Sequence, residues 1–134
     1  MATISEIEGI GETYAAKLRA AGTGTVEALL EKGGDPKGRQ DLEAKTGIGH
    51  KLILRWVNHA DLFRIKGVGK QYAELLEAAG VDTVIELATR NAENLYAAMV
   101  KTNEAKKLVR ALPTQADVAN WIAQAKGAER KVHH

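Results

Sequence analysis

The residues best suited to chemistry in this chain are glycines. Three stretches share one grammar: Gly9-Ile10-Gly11, Gly47-Ile48-Gly49 and Gly67-Val68-Gly69. The middle apolar residue can tuck between the segments on either side. The flanking glycines open backbone angles closed to other residues and leave a bare surface. A helix that begins directly after such a turn starts with unpaired amides and the positive end of its dipole. The chemistry on offer is capture of an anion, a phosphate oxygen above all. Cations decide which turn is fit for it, because electrostatics supplies most sequence-independent affinity for a phosphate backbone. Arg64, Lys66 and Lys70 surround Gly67, Val68 and Gly69, with Gln71 as a neutral donor. Lys45, His50, Lys51 and Arg55 accompany Gly47, Ile48 and Gly49. Glu6, Glu8 and Glu12 crowd Gly9 and Gly11 and oppose an anion, so the first turn reads as structural or as a contact for a basic partner. At a fourth place, Leu112-Pro113-Thr114, the glycines are gone, and Lys101, Lys106, Lys107 and Arg110 read as a diffuse basic helix face.

Other chemistries find little support. With no cysteine there is neither a disulfide framework nor a thiolate zinc site. His50 has no second ligand at a useful spacing and reads as an exposed first-turn residue; His59 reads as structural or exposed. Ser5 is the only serine and lies near the start, which argues against a serine triad. Asp82 precedes Thr83, where a turn and a cap account for it. Gly67-Val68-Gly69-Lys70 lacks both the spacing of a P-loop and the strand before it. No catalytic residue, metal site or cofactor is expected, and the chain reads as non-enzymatic. Trp56 and Trp121 read as buried, and Tyr14 and Tyr72 lie on an apolar stripe; no aromatic cluster speaks for base stacking.

A repeat sets the elements that carry these turns. Residues 7–30, IEGIGETYAAKLRAAGTGTVEALL, match residues 65–88, IKGVGKQYAELLEAAGVDTVIELA, at a constant offset of 58. Apolar residues recur at helical spacing in both copies: Ile7, Ile10, Tyr14, Leu18 and Ile65, Val68, Tyr72, Leu76. Each copy is followed by a weaker half, Leu42 to Trp56 and roughly Leu95 to Trp121, with Ile53-x-x-Trp56-Val57 resembling Val118-x-x-Trp121-Ile122. Thr3-x-x-Glu6 and Thr83-x-x-Glu86 are expected capping boxes and Thr114-x-x-Asp117 a looser one. Asp61, Thr25 and Asn91 are expected N-caps. Gly22 and Gly80 stand where helices stop on a left-handed residue. Residues 32–38 read as a loop. These marks divide the chain into units at 1–60 and 61–128 and a disordered tail at 129–134, whose final His133-His134 pair resembles a purification-tag remnant.

With 134 residues, 45% of them hydrophobic, the chain can bury a core, and its abundant Ala and Leu lean towards helix. The net charge of +2 comes wholly from beyond Ala60, where eleven Lys/Arg face nine Asp/Glu. No apolar run suits a membrane span and the start is not a secretion signal, so a cytoplasmic protein is expected. The pattern apolar-x-x-apolar-x-Gly-apolar-Gly-x-x-Tyr-Ala-x-x-Leu, met at Ile4 to Leu18 and again at Leu62 to Leu76, resembles the helix-hairpin-helix motif. The whole order of parts, from about Ile4 to Ala125, is similar to an uncharacterised bacterial family with tandem helix-hairpin-helix repeats. The resemblance implies an all-α fold of two pseudo-symmetric tandem units, with the SAM-like packing of eight to ten short helices. It also implies sequence-independent contact with the backbone of double-stranded DNA, two hairpins straddling the minor groove. The competing expectation is a protein-interaction or scaffold module that binds no nucleic acid.

Overall fold

Helix starts along the chain are written in Thr, Asp and Asn. Thr25 accepts from the amide of Ala28 at 3.0 Å and opens one helix, and Asp35, followed by Pro36, accepts from Gly38 at 2.7 Å and opens the next. Asn91 accepts from Asn94 at 3.0 Å, and Thr114 and Asp117 form a complete reciprocal box. These caps satisfy amides that the first helical turn leaves open. The computed structural model describes residues 2–134. Among them are eight α-helices: α1 (Glu12–Ala20), α2 (Val26–Gly33), α3 (Pro36–Thr46), α4 (His50–Leu62), α5 (Lys70–Ala78), α6 (Val84–Ala88), α7 (Ala92–Lys106) and α8 (Gln115–Lys126). The fold is all-helical, as the periodicity predicts. Extended pairing among the described residues is limited to one isolated bridge between Thr3 and Thr25.

The chain divides into two units, one running up to Asp61 and rejoined by Lys131–His134, the other Leu62–Arg130. In the first unit α2 packs on α3 and α1 also touches α3. Ile4, Ile7, Leu18, Leu29, Ile53 and Trp56 are wholly buried there. In the second, α8 packs against α6 and α7, with Leu62, Leu75, Leu76, Leu87, Met99 and Val118 at its centre.

Residues 58 positions apart do the same job in each unit. Gly22 and Gly80 stop α1 and α5 with φ of 78° and 98°. The amides of Thr23 and Val81 then reach back to the carbonyls of Leu18 and Leu76, both at 2.8 Å. Lys32 Nζ donates to the Gly22 carbonyl at 2.9 Å, and Arg90 Nη2 donates to the Gly80 carbonyl at 2.8 Å. Both cations answer the negative end of a helix.

Four local expectations are corrected. Thr3 caps nothing: residues Ile4–Glu6 make a single 3-10 turn without a side-chain cap, and the Thr3 backbone is committed to its bridge with Thr25. Asp61 starts no helix, because α4 runs through it to Leu62 and buries it to 1% exposure. Residues 32–38 are helical at both ends, because Asp35 and the N1 proline shorten the link between α2 and α3 to two residues. The stretch beyond 130, expected as a disordered tail, is packed. Val132 is 3% exposed, His133 N donates to the Gly34 carbonyl at 2.7 Å, and buried Arg39 donates to the carbonyls of Gly33 at 2.9 Å and His133 at 2.6 Å. Burial lowers the Arg39 pKa from its ordinary value, with Asp35 pulling the other way.

Candidate functional site

The three glycine turns share one backbone form. Their first glycines, Gly9, Gly47 and Gly67, have φ of 92°, 72° and 99°, in the left-handed region that disfavours a side chain. Their middle residues, Ile10, Ile48 and Val68, are 5%, 2% and 5% exposed and anchor each turn to its core. Their second glycines, Gly11, Gly49 and Gly69, are exposed, and a methyl group built on any of them would meet nothing within 4 Å. Gly11 and Gly69 are the N-cap residues of α1 and α5 and offer those helices no side-chain cap. The starts of α2, α3, α6, α7 and α8 are capped by Thr25, Asp35, Thr83, Asn91 and Thr114. The starts of α1 and α5, which follow the first and third glycine turns, are thus bare, whereas those five are capped.

The third turn is the most heavily built. Gln124 of α8 clasps the backbone of Lys66, accepting from its amide at 2.8 Å and donating to its carbonyl at 3.1 Å. The indole nitrogen of Trp121 lies 3.0 Å from where a Gly67 Cβ would stand. Tyr72 stacks obliquely on Trp121 with ring centroids 5.3 Å apart, and its hydroxyl donates to the Ala111 carbonyl at 2.9 Å. That bond draws the loop between α7 and α8 against the turn. The result is an open hollow of about 520 Å³ lined by Gly67, Gly69, Lys70, Gln71, Tyr72, Arg110 and Ala111. Lys66 and Lys70 are exposed beside it. Arg64 is half-buried and donates from Nη2 to the Glu129 carbonyl at 2.9 Å.

Arg110 is the residue the sequence reading misplaces. It stands beside the third glycine turn, not on a diffuse helix face. The fourth link explains why: α7 stops at Lys107, which has a left-handed φ of 51°, and Asn103 brackets Val109 with two hydrogen bonds of 3.0 and 3.1 Å. This pinning leaves Arg110 and Ala111 in an exposed stretch that the Tyr72 hydroxyl can reach. Only Tyr72, common to both repeats, hints at a partner in sequence, and its acceptor is a backbone atom that no side-chain pattern reveals.

In the other unit, Thr46 Oγ1 accepts from the Ile48 amide at 3.1 Å and fixes the second turn, with His50 and Lys51 exposed at the start of α4. Arg55, grouped by sequence with that turn, lies at the first one, its Nη1 3.8 Å from a would-be Cβ on Gly9. Trp56 packs beneath Gly9 and against Tyr14, with ring centroids 5.1 Å apart. Glu6 and Glu12 are exposed there and Glu8 is half-buried. His59 is fully buried. Among the described residues no set of three or more His, Asp or Glu could hold a metal, and no helix is long and apolar enough to cross a membrane.

Residues 8–128 match the family described as Domain of unknown function (DUF4332). The chain belongs to that family. The match takes in all but the first residue of the two repeats, and so all three glycine turns of this DUF4332 chain from Gly9 to Gly69. No curated protein and no solved structure matches the chain.

Proposed function

We propose that this DUF4332 chain is a non-enzymatic helix-hairpin-helix protein of the bacterial cytoplasm that holds double-stranded DNA by its backbone without reading sequence. The observation that carries the reading is the pairing of exposed Gly-apolar-Gly turns with helix starts that lack a side-chain cap. An outward amide at a helix N-terminus is a phosphate ligand in waiting. Gly67, Val68 and Gly69 supply the main contact, with Lys66, Lys70 and Arg110 as its cations and Arg64 as a flanking support. Gly47, Ile48 and Gly49, with His50 and Lys51, supply a second. Contacts of this kind set position and affinity and carry no base specificity.

The test is a titration of labelled duplex DNA at two ionic strengths, with the Lys66→Glu/Lys70→Glu variant in parallel. Two to four phosphate contacts correspond to a slope of roughly −2 to −4 in log K against log salt. The charge reversal is expected to remove most of the binding, and duplexes of unrelated sequence to bind alike. No binding at low salt, or binding indifferent to the reversal, sinks the proposal. The acidic first turn favours a second reading, a protein-interaction module that takes a basic partner.

A further inference from the structure

The link between α7 and α8 stands where a glycine turn would. α4 starts at His50 and α8 at Gln115, 65 positions apart, and Trp56 and Trp121 keep the same spacing. On that offset Gly47, Ile48 and Gly49 correspond to Leu112, Pro113 and Thr114. The middle residue is buried in both, Ile48 and Pro113 alike. The two ends change. Thr114 accepts from the Asp117 amide at 3.0 Å and caps the start of α8, so no bare helix start follows this turn. Leu112 puts an apolar side chain where Gly47 has none. Among the described residues it is the one large apolar side chain that stands exposed, at 37%.

This tip is held from both sides. Asn103 clasps Val109 through two hydrogen bonds, and the Tyr72 hydroxyl donates to the Ala111 carbonyl at 2.9 Å. Buried Pro113 anchors the next residue and favours an extended backbone at Leu112. Ala111 borders the same hollow as Gly67 and Gly69, and Leu112 follows it directly in the chain. The link is cationic. Between Glu104 and Asp117 lie Lys106, Lys107 and Arg110, all exposed, and no carboxylate. Protein interfaces are depleted in lysine, whereas a polyanion is drawn to it.

From this apolar tip among cations we infer that Leu112 is a wedge. On duplex DNA held at the third turn it enters the minor groove and presses between neighbouring base pairs, so the preferred substrate is a duplex whose stack is already interrupted. The inference rests on the DNA reading above and adds a substrate class to it. On an intact duplex the gain from burying the leucine is offset by the cost of unstacking a base step. At a single-nucleotide gap that step is open beforehand and the gain is kept. The contribution is apolar, so salt does not screen it as it screens the phosphate contacts.

Short labelled duplexes, one intact and one with a central single-nucleotide gap, test it at two ionic strengths with the unaltered chain, Leu112→Ser and Leu112→Met. Because Leu112 is exposed, both variants are expected to keep the helical circular dichroism of the parent. The unaltered chain is expected to bind the gapped duplex about tenfold tighter than the intact one. That ratio is expected to hold at the higher ionic strength although both affinities fall. Leu112→Ser is expected to bind both duplexes alike, as the unaltered chain binds the intact one, and Leu112→Met to retain the preference. Equal affinity of the unaltered chain for the two duplexes overturns the inference and leaves the DNA reading standing. A preference that persists in Leu112→Ser, or fades as salt rises, overturns it too. Binding to neither duplex overturns both. Self-association of the unaltered chain without DNA, lost in Leu112→Ser, assigns the tip to a protein contact and likewise overturns the inference.

Discussion

Gly67 and Gly69 are two positions apart, and a methyl group added at each would meet different worlds. At Gly67 it would need a left-handed backbone with φ of 99° and would press on the Trp121 indole nitrogen at 3.0 Å. At Gly69 the backbone is extended, with φ of −108°, and nothing lies within 4 Å. Gly67→Ala is therefore expected to cost about 1–2 kcal/mol from backbone strain alone. Gly69→Ala is expected to cost less, about 0.5 kcal/mol, the difference between glycine and alanine at an N-cap. Urea unfolding of the two variants checks the contrast, and equal losses would contradict it. Tyr72→Phe probes the hollow. It removes a bond to the Ala111 carbonyl worth about 0.5–1.5 kcal/mol and loosens the Arg110 loop. On the DNA reading, affinity falls in this variant while Lys66 and Lys70 remain in place. Unchanged affinity would show that Arg110 takes no part.

At the scale of elements, capping chemistry separates what was readable from what was not. The Thr25, Asn91 and Thr114 caps and the Gly22 and Gly80 stops stand where their residue types put them. Each depends on atoms within three to five residues, so the local pattern contains the whole interaction. Thr3 has the same pattern but is claimed by a long-range partner, the Thr25 segment, through Ile4 N to Gly24 O at 3.1 Å. Asp61 has a cap's identity, but α4 continues past it because Leu62 is needed in the next core. At Thr83 the hydroxyl accepts from the Glu86 amide at 3.4 Å and lies 3.3 Å from its carboxylate, a looser arrangement than the box the motif suggests. Within the candidate site, the glycines and lysines are visible as types, while the Arg110 contribution arises from folding. Thr114→Ala is accordingly expected to lower stability by about 1 kcal/mol and Thr3→Ala to leave it nearly unchanged. Thermal denaturation of both variants measures this, and a larger loss at Thr3 would reverse the assignment.

On the scale of the whole molecule, the unit closest to the N-terminus is finished by residues from beyond position 130. Val132 is buried, and the carbonyls of Gly33 and His133 share the buried Arg39 guanidinium. Val132→Asp places a charge where 3% exposure leaves it little water, and a loss of several kcal/mol is expected. Hydrogen exchange localises the effect: amides of α2 and α3 are expected to exchange faster, while those of α5 and α8 keep their protection. Uniform acceleration along the chain would show that Val132 has no special tie to its unit. The same arrangement sets an order of completion during synthesis. A ribosome delivers the first sixty residues long before Val132 leaves the exit tunnel, and Arg39 must wait without its His133 partner until then. Of the two units, the one whose helices are made first is thus the one sealed last.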